Sequence, residues 1–175
     1  MTWPEKVLRQ FAVIYPNPPI ENEYHGAYNK LLNTLFPPDT DFTVVPQYLE
    51  LNSPKGADFI FMFEILFYNK PVFVVELKQP THLLYDSTRQ AADDQCPIPT
   101  LHGVSAMGTR LCFYSLDLTQ ADPKILPPII PRDPSFFNDT APAGRWDCSV
   151  LEVEGETKLR AVVDEIKQAC ALVET

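Results

Sequence analysis

Glycine is scarce in this chain: 6 residues against 18 prolines in a length of 175. No glycine-rich phosphate loop appears among them, which argues against the nucleotide cradles built on one. Paired cysteines are missing too. Cys96, Cys112, Cys148 and Cys170 stand far apart with no C-x-x-C pair, so zinc-type spacing is absent. A reducing intracellular compartment, cytoplasmic or nuclear, is the simplest expectation for such cysteines. Basic runs are also lacking. The 14 Lys and Arg are scattered among 23 Asp and Glu, for a net charge of −9 and a pI near 4.7. Proteins that grip duplex nucleic acid through many phosphates usually carry a basic face. This balance speaks against broad, sequence-independent binding but leaves room for a local site, because an acidic cluster becomes less negative when it holds a divalent cation. No apolar stretch is long enough to span a bilayer, so no membrane association is expected. Met1-Thr2-Trp3-Pro4-Glu5 has no basic segment leading into an apolar one, so no signal peptide is expected. The serines lack a nucleophile-elbow sequence. His25, His82 and His102 have no metal-like spacing and are expected to be surface or satisfied polar groups, with Trp3 and Trp146 as packing residues.

Apolar residues make up 45% of the chain, aromatics 11% and charged residues 21%, enough for one globular domain over 1–175. Residues 1–20 read as an N-terminal extension, with a short helix from Glu5 to Val13 and an extended lead-in from Tyr15 to Pro19. Asn22 then fits an N-cap. Tyr24, Ala27, Tyr28, Leu31, Leu32 and Leu35 recur at spacings of three and four, which predicts an amphipathic helix from Glu23 to Phe36, stopped by Pro37-Pro38. Three strands are expected over Phe42–Leu51, Asp58–Phe67 and Val72–Leu77, with Pro46 at an edge or bulge. A helix from roughly Ser87 to Gln95 follows, then strands over Leu101–Ser105 and Arg110–Leu116. Pro123, Pro127, Pro128, Pro131, Pro134 and Pro142 make 120–145 an irregular segment, and an apolar stripe predicts a last helix over Glu156–Val173. The order of elements is that of a mixed α/β domain with a central sheet.

One group of residues carries chemistry. Glu76 and Lys78 end an apolar strand, Val-Phe-Val-Val-Glu-Leu-Lys, and share one face while Leu77 points to the other. Asp58 opens the preceding strand. Antiparallel pairing through a short turn at 68–71 should bring the start of that strand beside the end of the next, placing Asp58 next to Glu76 and Lys78. Converging carboxylates call for a cation. Mg²⁺ or Mn²⁺ can polarise a phosphoryl oxygen and activate water, while a neighbouring lysine helps position that water and offsets charge in the transition state. The plain alternative is a solvated polar strand end with a turn aspartate.

The pattern Gly-Ala-Asp, strand, strand, Glu-Leu-Lys after an initial helix resembles the PD-(D/E)XK superfamily of restriction-endonuclease-like folds, and more narrowly its single-domain fungal members. The tracts that carry it are 23–32, 45–48, 57–59, 75–78, 103–110 and 146–154, spread over most of the chain. The resemblance implies a central mixed sheet flanked by helices and a nuclease hydrolysing phosphodiester bonds in DNA or RNA. It implies Asp58, Glu76 and the Leu77 carbonyl as ligands of Mg²⁺ or Mn²⁺, with Lys78 as the catalytic lysine. It also implies an acidic residue on the first helix, Glu23 by its phase with Ala27 and Leu31, or else Glu21. Arg89, Gln90 and Gln95, on the short helix after the third strand, are the substrate-contact candidates. A second reading is a nuclease-like scaffold, catalytically weak or inactive, that serves as a protein-interaction module; the acidic charge and the short helix favour it, and the intact triad favours the nuclease. Many such folds pair, so a homodimer is compatible with the resemblance, although no residue of this chain specifies one.

Overall fold

In the computed structural model the described residues are 3–14, 23–53, 56–77, 96–128 and 144–173, with backbone alone for 48–53 and 56–60. They form α1 (Glu5–Ala12), α2 (Tyr24–Leu35), β1 (Phe42–Ser53), β2 (Gly56–Phe67), β3 (Lys70–Leu77), β4 (Thr100–Met107), β5 (Arg110–Asp117), β6 (Ile125–Leu126), β7 (Cys148–Ser149) and α3 (Val153–Cys170). Pro4 precedes α1, where its missing N–H removes no helical bond. Phe36 leaves the helical region at φ −121°, ψ 82° and ends α2, as the following Pro37 requires. β6 and β7 were not foreseen from the sequence. At two residues each they are too short to show periodicity.

The strands make one open, mixed sheet of the order β1-β2-β3-β4-β5-β6, with β7 also on β5. β1, β2 and β3 are an antiparallel meander, β4 returns parallel to β3, and β5 is antiparallel to β4. Pro46 lies in β1, an edge strand, where a missing ladder donor is tolerated. Tyr68 and Asn69, both at positive φ (47° and 61°), form the two-residue turn between β2 and β3, the geometry whose twist suits a hairpin. Gly108 turns β4 into β5 at φ 59°, and its carbonyl accepts a 2.7 Å hydrogen bond from Tyr28 Oη on α2. A parallel pair needs a long crossover. Most of that crossover, including the expected Ser87–Gln95 helix with Arg89, Gln90 and Gln95, lies outside the described residues.

The main core lies between the sheet and the helices. Val7 and Phe11 of α1, Ala27, Tyr28, Leu31 and Leu32 of α2, and Leu159, Val163 and Ile166 of α3 pack against Phe61, Phe63, Phe73, Val75, Val104 and Leu111. Trp3 Nε1 donates to the Val150 carbonyl at 2.6 Å and Trp146 Nε1 to the Ser105 carbonyl at 3.1 Å. Both indoles are buried, as packing residues should be. A smaller cluster on the other side of the sheet contains Met62, Val74, Leu101, Leu116 and Ile125, and among the described residues no helical one belongs to it.

His102 ties β4 to α3. Its Nε2 is 3.3 Å from Glu165 Oε1, and the imidazole is buried. Burial holds its pKa below the usual 6.5, against the opposing pull of Glu165. The unfolded chain therefore takes up the proton first as pH falls. Stability should decline from about pH 6.5 downward, and melting curves of His102→Gln should show a shallower slope over the same window. His25, also lowered by burial, adds a slope of the same sign that the variant retains. Equal acid slopes in the two proteins would remove His102 from the account.

Candidate functional site

The site starts from the alternation of β3. Phe73, Val75 and Leu77 join the main core, whereas Val74 belongs to the smaller cluster, so Glu76 stands on the face away from the helices. Its flanks follow from the register. Met62 of β2 is directly opposite Glu76 on one side, and Ser105 of β4 is its parallel partner on the other. Gln47 pairs with Met62, and Cys112 with Ser105. One row across the sheet thus reads Gln47, Met62, Glu76, Ser105, Cys112, with neighbours about 4.8 Å apart in backbone position. The adjacent row contains Glu64, whose Oε2 accepts a 3.2 Å hydrogen bond from Gln47 Nε2.

Burial makes this row unusual. Glu76 is only 2% exposed, and so is Ser105. A buried carboxylate is costly without compensating partners, and Glu76 does have interactions. Ser105 differs: its Oγ is buried and makes no hydrogen bond among the described residues. The row ends in a thiol that is chemically quiet. Burial pushes the Cys112 pKa up, only partly relieved by its hydrogen bond with Tyr114, so it is neither a ready nucleophile nor a thiolate ligand.

The sequence-derived candidates are distributed as follows. Asp58 stands in β2 opposite Leu51 of β1, four positions before Met62. It has the strand parity of Met62, and it lies toward the carboxyl end of β3 because the two strands are antiparallel. It is not, however, the ladder neighbour of Glu76. The turn at Tyr68–Asn69 and the irregularity at Ile65/Leu66 set a register in which Met62 takes that place, leaving Asp58 about 13 Å along the strand from it. Leu77 is the last residue of β3, its side chain buried on the helix side. Lys78, Glu21, Arg89, Gln90 and Gln95 lie outside the described residues. Glu23 occupies the N-cap of α2 and is exposed, while Ala27 and Leu31 are buried. The expected inward placement of Glu23 is therefore corrected: at the N-cap, one turn beyond the buried stripe, its side chain is exposed. Because α2 packs on the main-core face, the sheet separates that helix from the face of Glu76.

Glu64 and Ser105 were missed. Glu64 had a signal: it is a lone charge inside Phe59–Phe67, two strand positions from Met62 and so of the same parity as Asp58. Ser105 had none, because its significance comes from pairing with β3 across a crossover. Among the described residues no group of three His, Cys, Asp or Glu side chains is placed to hold a metal. The donors on this face, the Glu76 carboxylate and the Ser105 hydroxyl, are hard oxygen groups. Their chemistry fits Mg²⁺ or Mn²⁺ in preference to a thiolate-seeking metal.

Comparison of the chain with family models, curated proteins and solved structures returned no match.

Proposed function

We propose that the chain is a divalent-cation-dependent phosphodiesterase acting on DNA or RNA, built on a restriction-endonuclease-like core. The observation that carries this reading is a nearly fully buried carboxylate, Glu76, near the carboxyl end of β3, next to the parallel strand β4. In open α/β sheets ligands collect beyond the carboxyl ends of strands. The amino end of β2, with Asp58, lies toward this same end. The element order, an initial helix, an antiparallel three-stranded meander and then a strand parallel to the third, is compatible with such a core.

Glu76 and the Leu77 carbonyl would hold the cation, Asp58 being too far along β2 to share it, and the cation when bound supplies Lewis-acid polarisation of a phosphoryl oxygen. The chain's own residues do the rest. The apolar neighbours Met62 and Val74 exclude water from one side of Glu76 and thereby strengthen its electrostatic interactions. Lys78, two residues beyond Glu76 in the sequence, would hold the attacking water and offset the charge that builds on phosphorus. The net charge of −9 favours a second reading, in which the same scaffold docks proteins and cleaves nothing.

Titration calorimetry with Mn²⁺, followed by cleavage assays on single- and double-stranded DNA and on RNA, tests both readings. The native protein should give a binding heat that Glu76→Gln abolishes. Lys78→Ala should keep the heat and lose cleavage by about 100-fold or more. Absence of both heat and cleavage would leave the docking reading in place, and cleavage that survives both substitutions would show that the site is wrongly assigned.

A further inference from the structure

The Ser105 hydroxyl is an unexplained cost in the fold. A hydroxyl carries one donor and two acceptor positions, and buried polar groups in native proteins are almost always satisfied. Ser105 Oγ is buried and makes no hydrogen bond among the described residues. The backbone at this position is well held: its carbonyl accepts from Trp146 Nε1 at 3.1 Å, and the residue pairs with Glu76 on one side and Cys112 on the other. Alanine would fit the same strand position without that cost. The side chains of Val104 and Ala106 enter the main core, so Ser105 faces the side of the sheet on which Glu76 stands. Parallel register makes the two side chains immediate neighbours.

We propose that Ser105 is a positioning residue of the Glu76 site, its hydroxyl donating a hydrogen bond to an oxygen of a hydrated divalent cation or its phosphate ester held against Glu76. The inference rests on the phosphodiesterase reading and adds to it a residue that the Asp, Glu and Lys pattern does not contain. It explains why a hydroxyl is kept where no protein partner is described: its partner arrives with the ligand. It also explains the quiet thiol on the far side. Cys112, kept protonated by burial, does not compete with oxygen donors for a hard cation.

Ser105→Ala separates a functional hydroxyl from a structural one. Thermal unfolding and Mn²⁺ calorimetry are measured on the native chain, Ser105→Ala and Glu76→Gln. Ser105→Ala should melt at the native temperature or above it, because an unsatisfied buried group has been removed. Its Mn²⁺ affinity should fall by about 10- to 100-fold, the usual effect of deleting a group that orients metal ligands. Native-like Mn²⁺ affinity in Ser105→Ala, with binding lost in Glu76→Gln, would overturn the inference and leave the phosphodiesterase reading standing. A native chain that takes up no Mn²⁺ would overturn both. A lower melting temperature in Ser105→Ala would show that the hydroxyl has a structural partner, and would overturn the inference as well.

Discussion

Gly155→Ala should lower the melting temperature by roughly 4–8 °C. The residue is buried in the first turn of α3, where the helix crosses the end of β7. A Cβ built at Gly155 falls onto the Ser149 carbonyl oxygen, far inside contact distance, and 3.1 Å from Val150 N. Both obstacles are backbone. Ser149 is paired with Arg110 of β5, and its carbonyl also accepts from Glu152 N at 3.0 Å, so neither can swing aside as a side-chain tip would. Alanine is the better helix former by about 1 kcal/mol, but overpacking against a fixed wall costs about 3 kcal/mol. The clash dominates, and the net loss of about 2 kcal/mol, at roughly 2–4 °C per kcal/mol for a chain of this size, sets the expected range. Gly26→Ala in α2 is the control. There the added Cβ meets only the end of the Gln10 side chain, at 3.8 Å. The helix preference should then act alone and raise the melting temperature by a few degrees. Equal effects at the two positions would mean that α3 can lift off β7 at little cost.

The contrast between these glycines also marks what was legible in the sequence. Apolar spacing located α2, and short apolar, β-rich runs between turn signals located β2 and β3. The last helix was placed over Glu156–Val173 and is found at Val153–Cys170. Its apolar stripe starts only at Leu159, whereas the helix begins earlier, with Glu154 and Glu156 favoured in its first turn. Pro46 was expected at an edge or bulge and lies on an edge strand. Relations between elements were harder to read. That Asp58 and Glu76 lie toward the same end of the β2–β3 hairpin followed from antiparallel pairing alone. Their separation comes from unequal lengths on the two sides of the turn: Glu76 is six residues beyond Lys70 whereas Asp58 is nine before Phe67, and the irregularity at Ile65/Leu66 adds a fourth position. The pairing of Glu76 with Ser105 depends on a crossover, and no local pattern encodes its alignment.

Glu76→Gln should abolish Mn²⁺ binding and reduce cleavage by at least about 100-fold while leaving the fold at least as stable as before. The Lewis-acid contribution of a bound cation amounts to several kcal/mol, and each 1.36 kcal/mol is a factor of about ten in rate, so loss of the cation alone accounts for such a fall. The expectation for stability comes from the surroundings of Glu76. It is 2% exposed, in a row with Met62 and on the face of Val74 and Leu101. A charge in such a place is a burden on folding unless something offsets it, and exchanging a carboxylate for an amide of the same shape removes the charge without opening a cavity. Glutamine is chosen over alanine because Glu76 does have interactions in the fold, and truncation would strip these from their other members and confuse loss of packing with loss of function. If the carboxylate is held there for a ligand, function and stability move in opposite directions, as they do where a strained site is maintained for activity. A melting temperature lowered by more than about 10 °C, with Mn²⁺ uptake intact, would instead make Glu76 a structural anchor of β3 and move the search for the cation to Glu64, one row away on the same face, and its hydrogen-bond partner Gln47.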